Sequence, residues 1–232
     1  MRSFCMITPI AENLWLLAYP LSKLGMNLRR NVTIIRLSSG DLVIHSTGPF
    51  TSDDLAEISA LGRPGWLVEA MLHHDTFAKE GRAAFPGIPY LAPPGFSELV
   101  DIPTEPIIPA PAAWGSELQV LPVPGMPGFD EHVFFHQLTR TLIVADLVFN
   151  FGPDEPVWTE LMLKAVVGGK HEPGMGRPFK MGIKGEEAFN AAMEKMLRWD
   201  FDRVIVGHGD HIPTDGKQKV ATMLADALGV VS

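Results

Sequence analysis

At 232 residues, with 46% hydrophobic and 20% charged residues, the chain has enough apolar material to bury a sizeable core. A formal net charge of −8, with no run of like charges, disfavours nucleic-acid partners, which need basic patches. No apolar stretch reaches the roughly eighteen residues of a membrane span, and a lone cysteine, Cys5, excludes an internal disulfide.

Cys5 fits a reducing compartment, so a cytoplasmic location is expected. Residues Met1 to Ile10 contain no long apolar core and no clear cleavage site, so no signal peptide is expected. In chain order, Asn13 to Leu17 reads as a first strand. Val32 to Leu37 is β-branched, Ser38-Ser-Gly-Asp is a hairpin turn, and Leu42 to His45 is the partner strand. Ser52 to Leu61 has helical apolar spacing behind a capping candidate. Trp66 to Leu72 is a further strand that runs into His73-His74-Asp75. Thr76 to Ala84 reads as a short helix, and Tyr90 to Ala92 as a short strand.

Residues 101–116 carry Pro103, Pro106, Pro109 and Pro111, which predicts an extended connection. Leu118 to Val123 and Glu131 to His136 are strands on either side of a Pro-Gly-Met-Pro-Gly loop. Trp158 to Val167 should be helical, whereas Gly168 to Gly182, rich in glycine and proline, reads as a mobile loop or lid. Glu186 to Trp199 reads as an amphipathic helix and Asp215 to Leu228 as a closing helix. This order repeats a β-rich half and an α half, which two face-to-face sheets with helices outside would satisfy in one domain over 1–232.

Two stretches carry the chemistry. Thr141-Leu-Ile-Val-Ala-Asp-Leu-Val-Phe-Asn is a continuously apolar run that meets a carboxylate, Asp146. Such a run reads as a strand buried on both faces, and strand ends are where layered α/β folds bind ligands and metals. Arg203-Val-Ile-Val-Gly-His208-Gly repeats the arrangement with an imidazole. An Asp that merely caps the next turn, and a satisfied loop histidine, are the bland readings of the same residues. His45, His132 and His136 alternate with apolar residues and read as strand histidines, while His211 and His171 read as loop residues.

These landmarks resemble the metallo-β-lactamase superfamily: Thr47-Gly48-Pro49 after a strand, His73 after another, the loop Pro124 to Gly128, Asp146, and Gly207-His208-Gly209. The His-His pair and Trp199-Asp-Phe-Asp are similar to an uncharacterised branch of it. The resemblance implies a four-layer αββα sandwich of the α/β (α+β) class with its site at strand ends between the sheets. It also implies a His-x-His-x-Asp-His metal motif, and here the chain departs from the pattern. At least half of those positions are lost whether the motif starts at His73 or at His74. Met126 stands where the loop usually has a histidine, and Ser46 where an Asp usually precedes Thr-Gly.

The expected ligands are therefore His73, Asp146 and His208, with Asp75 as a fourth. Asp146 and His208 are the expected catalytic residues, and the cofactor is at most one divalent ion, zinc, iron or manganese. The resemblance implies hydrolysis of an ester, lactone, amide or thioester. The alternative is a metal-free, non-catalytic descendant that binds a small molecule or serves as an interaction module. A small-molecule substrate or ligand is expected as partner, not nucleic acid or a membrane, and a homodimer is left open.

Overall fold

Period-two alternation along 30–36 and 41–45 sends one set of aliphatic side chains to each face of a sheet, and the protein buries both faces. The computed structural model describes residues 7–23, 25–152, 155–156, 158–161 and 173–228. In chain order the strands are β1 (Thr8–Ala11), β2 (Leu14–Tyr19), β3 (Ser22–Lys23), β4 (Met26–Asn27), β5 (Arg30–Arg36), β6 (Asp41–His45) and β7 (Arg63–Val68). They continue as β8 (Tyr90–Ala92), β9 (Glu105–Pro106), β10 (Leu118–Pro122), β11 (His132–His136), β12 (Thr141–Ile143) and β13 (Arg203–Ile205). The helices are α1 (Ser52–Leu61), α2 (Ala78–Ala84), α3 (Phe96–Val100), α4 (Arg177–Gly182), α5 (Glu186–Leu197) and α6 (Gly216–Leu228).

The first sheet has the order β1-β2-β5-β6-β7-β8-β9 and the second β10-β11-β12-β13. Pairing is antiparallel from β1 to β6 and parallel from β6 to β9. In the second sheet only β12 and β13 run parallel. The β5–β6 turn closes through Gly40, whose φ of +84° lies in the left-handed region that a side chain disfavours.

Three apolar clusters define four layers. Val32, Ile34, Ile44 and Leu67 pack outward against Ile58 of α1, Ala78 of α2 and Phe96 of α3. Ile35, Val43 and Val68 face inward and meet Phe134, Ile143 and Ile205 of the second sheet. On its far side that sheet offers Phe135, Leu142 and Val204 to Phe189 and Met196 of α5 and Val220 and Leu224 of α6. The αββα sandwich expected from the order of elements is the observed architecture. A fully buried side chain such as Phe134, at 0% exposure, contributes on the order of 2–3 kcal/mol. Helix α1 starts with a reciprocal capping box, Thr51 Oγ1 accepting from Asp54 N and Asp54 Oδ2 accepting from Thr51 N.

The structure differs from the sequence reading in three places. The strand after Arg63 stops at Val68, and Leu72–Phe77 is a 3-10 turn. The proline-rich 101–116 is extended but includes a short strand, β9, and a 3-10 turn at Ala112–Trp114 that buries Trp114. Of the expected lid, residues 168–172 lie outside the described residues, as do residues 162–167 of the expected helix at Trp158 to Val167. Residues 173–182 are packed, since Gly174 pairs with Phe149 in both directions at 2.8 and 2.9 Å. Phe179 of α4 and Met175, just before it, enter the outer core of the second sheet.

Candidate metal centre

The parallel pair β12 and β13 sets the site. Ile143 lies opposite Ile205, so Asp146 and His208 sit at equal distance beyond the ends of two neighbouring strands. Past the strands the two chains stay tied, Val144 N–H donating to Ile205 O and Gly207 N–H to Ala145 O, each at 3.0 Å. Both residues then leave the sheet on bends that need outside support.

Glu131 supports the Asp146 bend. Its carboxyl accepts from Ala145 N–H at 2.8 Å and from Asp146 N–H at 3.1 Å, and it is wholly buried. Asn31, in β5, supports the His208 bend from the other sheet. Its side-chain amide donates to Val206 O at 2.8 Å and Gly209 O at 2.9 Å, while its backbone N–H donates to Gly207 O at 3.0 Å. His208 Nδ1 meets the Arg29 carbonyl at 2.6 Å. A carbonyl only accepts, so the neutral ring carries its proton on Nδ1 and turns the Nε2 lone pair toward Asp146 Oδ1, 3.5 Å away.

The third member is His74. Its Nε2 lies 3.3 Å from the same Asp146 oxygen, and its ring centroid is 5.2 Å from that of His208. One ligand atom each from His74, Asp146 and His208 fit within 4.8 Å of one another. His74 and His208 are buried, whereas the Asp146 side chain is 19% exposed and opens the group to solvent. Gly207 makes room for the His74 ring: a Cβ there would lie 2.8 Å from its Cε1.

Two residues expected at the ion do not join this group. His73 is exposed and sets its ring against Phe129 at 5.2 Å, and Asp75 is exposed. The cause is the 3-10 turn, which advances about 120° per residue, so that neighbours cannot face the same way. His74 takes the inward direction. Met126 is 2% exposed and packs into the outer core of the second sheet, and Ser46 accepts from Arg30 Nη1 at 3.1 Å. His211 is partly buried, and His171 lies outside the described residues.

Sequence reasoning missed the buried charges around the group. Arg30, Glu69 and Glu131 are each at most 1% exposed. The available signal was a charged residue inside an apolar run, as in Leu67-Val68-Glu69-Ala70-Met71, since such residues are rarely buried without a partner. Burial lowers the Arg30 guanidinium, opposed by Glu69 and Asp146. Burial raises Glu69 to about 7 against the pull of Arg30, and raises Glu131 to about 8 with Asp146 adding to it. His74 is lowered to about 3 by burial and then by Arg30, and His208 is lowered chiefly by burial. Both imidazoles are therefore neutral near pH 7. Burial works to raise Asp146, but His74, His208 and Arg30 outweigh it and hold the carboxyl below its ordinary range.

These residues fit a divalent cation. The His208 Nε2 lone pair and an Asp146 oxygen converge with His74 Nε2, which offers a second lone pair in the tautomer that carries its proton on Nδ1. Burial leaves protons on Glu69 and Glu131 near neutral pH, and a divalent ion bound here would favour their loss, since the three carboxylates would then outnumber Arg30 by two charges.

No protein-family model matches the chain, and no curated protein matches it in sequence. The comparison of structures gives a consistent answer at low identity. A metallo-beta-lactamase from Pontibacter korlensis is 15% identical with a TM-score of 0.60, over 95% of this chain and 99% of that one. The metallo-beta-lactamase FIM-1 from Pseudomonas aeruginosa, in its mono-zinc form, is 15% identical with a TM-score of 0.62, over 96% and 95%. The metal-soaked Flv1 flavodiiron core from Synechocystis is 12% identical with a TM-score of 0.67, over 97% of this chain and 60% of that one. The chain has the metallo-β-lactamase fold.

Proposed function

We propose that the protein is a metal-dependent hydrolase that works with one divalent ion held by His74 Nε2, Asp146 Oδ1 and His208 Nε2. The observation that carries this reading is the convergence of those three atoms within 4.8 Å at the ends of β12 and β13. Three protein ligands leave one position open, which is the arrangement of catalytic sites and not of structural ones. When bound, the ion supplies Lewis acidity, lowering the pKa of a water and polarising a carbonyl.

The chain's own groups do the rest. Asp146, the solvent-open member, would orient the attacking water. Glu131 fixes the Asp146 backbone, and Arg29 O with Asn31 fixes the His208 loop, so the group is organised before substrate arrives. Phe149, stacked on His208 at 6.0 Å, supplies apolar surface beside the ligands for the substrate. Similarity to beta-lactamases supports a carbonyl substrate: an ester, lactone, amide or thioester.

His74, Asp146 and His208 are the one group of its kind among the described residues, which supports a mononuclear site. The FIM-1 neighbour in its mono-zinc form supports the same stoichiometry and makes zinc the first ion to test. The test is turnover of chromogenic esters, lactones, amides and thioesters by zinc-loaded protein beside the Asp146→Asn variant. Zinc-dependent turnover that the variant loses supports the reading. Zinc bound in full with no turnover of any of the four classes would turn it toward a binding module.

A further inference from the structure

His74 stands between two carboxyl groups. Its Nε2 faces Asp146 Oδ1 at 3.3 Å, while its Nδ1 faces Glu69 Oε2 at 4.0 Å. Neither Nδ1 nor Oε2 has a hydrogen-bond partner among the described residues, and both belong to side chains no more than 1% exposed. Two buried polar atoms 4.0 Å apart, neither hydrogen-bonded among the described residues, leave a cost that one bond between them removes. The gap exceeds hydrogen-bond range by about 1 Å, within reach of a small rotation about the side-chain bonds.

The far oxygen of Glu69 is anchored. Thr47 Oγ1 donates to Glu69 Oε1, and the Thr47 methyl is pressed on by α2, where a Cβ at Gly81 would run into it. Glu69 also continues the ladder beyond β7, its N–H donating to Leu91 O at 2.9 Å. Backbone and hydroxyl together aim the free oxygen at His74.

We infer that Glu69 is a positioning residue for the metal site: it takes the Nδ1 proton of His74 and so leaves the Nε2 lone pair to the ion. A neutral imidazole has one N–H to give. Asp146 competes for that proton from the other side, and if Nε2 carries it, the third ligand is lost. His208 solves the same problem with a backbone carbonyl, Arg29 O at 2.6 Å. The two histidines thus share one design, with Nδ1 tied behind and Nε2 offered in front. Partners of this kind also raise ligand basicity.

This inference rests on the metal reading above, and the experiment separates the two. Zinc affinity is measured by chelator competition for wild type, Glu69→Gln and Thr47→Val, with unfolding of each metal-free protein followed alongside. Nitrogen-15 imidazole spectra of the zinc-loaded wild type supply a measurement that needs no variant. Expected are roughly 10- to 100-fold weaker zinc binding in Glu69→Gln and a smaller loss of the same sign in Thr47→Val. The wild-type spectrum should hold a downfield, slowly exchanging His74 Nδ1–H beside that of His208. Wild-type affinity in Glu69→Gln, or a His74 Nδ1–H that exchanges freely with water, overturns the role of Glu69 and leaves the metal site standing. A wild type that binds no zinc overturns both.

Discussion

Replacing Gly207 by Ala tests whether His74 occupies the place assigned to it. The new Cβ would lie 2.7 Å from Ala145 O and 2.8 Å from His74 Cε1, where ordinary contact begins at 3.4 Å. The carbonyl cannot retreat freely, because it accepts from Gly207 N–H at 3.0 Å. The ring must then move about 0.6 Å, comparable to the roughly 0.5 Å tolerance of a working ligand set. Overpacking of this kind costs about 1–3 kcal/mol, and for a chain of this size each kcal/mol lowers Tm by about 2–4 °C. Gly207→Ala should therefore melt roughly 2–12 °C below wild type and bind zinc at least about tenfold more weakly. Gly87→Ala is the control, since nothing lies within 4 Å of its added Cβ and its φ is unstrained. Thermal melts and chelator competition read both variants. Wild-type Tm and affinity in Gly207→Ala would refute the packing of His74 on that glycine, and with it the choice of His74 over His73.

Three further outcomes follow from the same structure. His74→Ala should abolish zinc binding while His73→Ala changes the affinity less than about threefold, and equal losses in isothermal titration would contradict the inward assignment of His74. Zinc binding at pH 6 should release protons, because Glu69 at about 7 and Glu131 at about 8 still hold theirs in the metal-free protein and the ion replaces them. Titration in buffers of different ionisation enthalpy reads the count, and no release would refute that charge balance. Buried His45, lowered to about 4 by burial, takes up its proton later than the unfolded chain does at its ordinary value of 6.5. Relative to His45→Leu, the wild type should therefore lose up to about 3 kcal/mol as pH falls from 6.5 to 4. Urea melts of both proteins across that window would show parallel curves if the reasoning is wrong.

Much of the frame was legible because it depends on local periodicity. Apolar runs that end in Asp146 and His208 mark the strand ends, and the pairing of β12 with β13 brings those ends side by side. The span of α1 is the one that its spacing predicts. What stayed hidden depends on direction and on distant partners. His73 and His74 are adjacent in sequence, and only the 3-10 turn decides which of them faces inward. Glu69, Glu131 and Arg30 read as ordinary charges until the second sheet closes over them. Asn31 precedes the strand residue Val32 and carries no sign that it will hold a loop near residue 208. The segment 173–182 has the composition of a loose loop, yet Met175 and Phe179 find a core that composition alone does not reveal.

The central claim is one divalent ion per chain at His74, Asp146 and His208, and metal content tests it most directly. Protein purified without chelator, from cells grown with added zinc, manganese or iron, should carry one equivalent per chain by elemental analysis. His208→Ala should carry none while retaining the fold. Two equivalents in the wild type, or none under any of these growth conditions, would contradict the account.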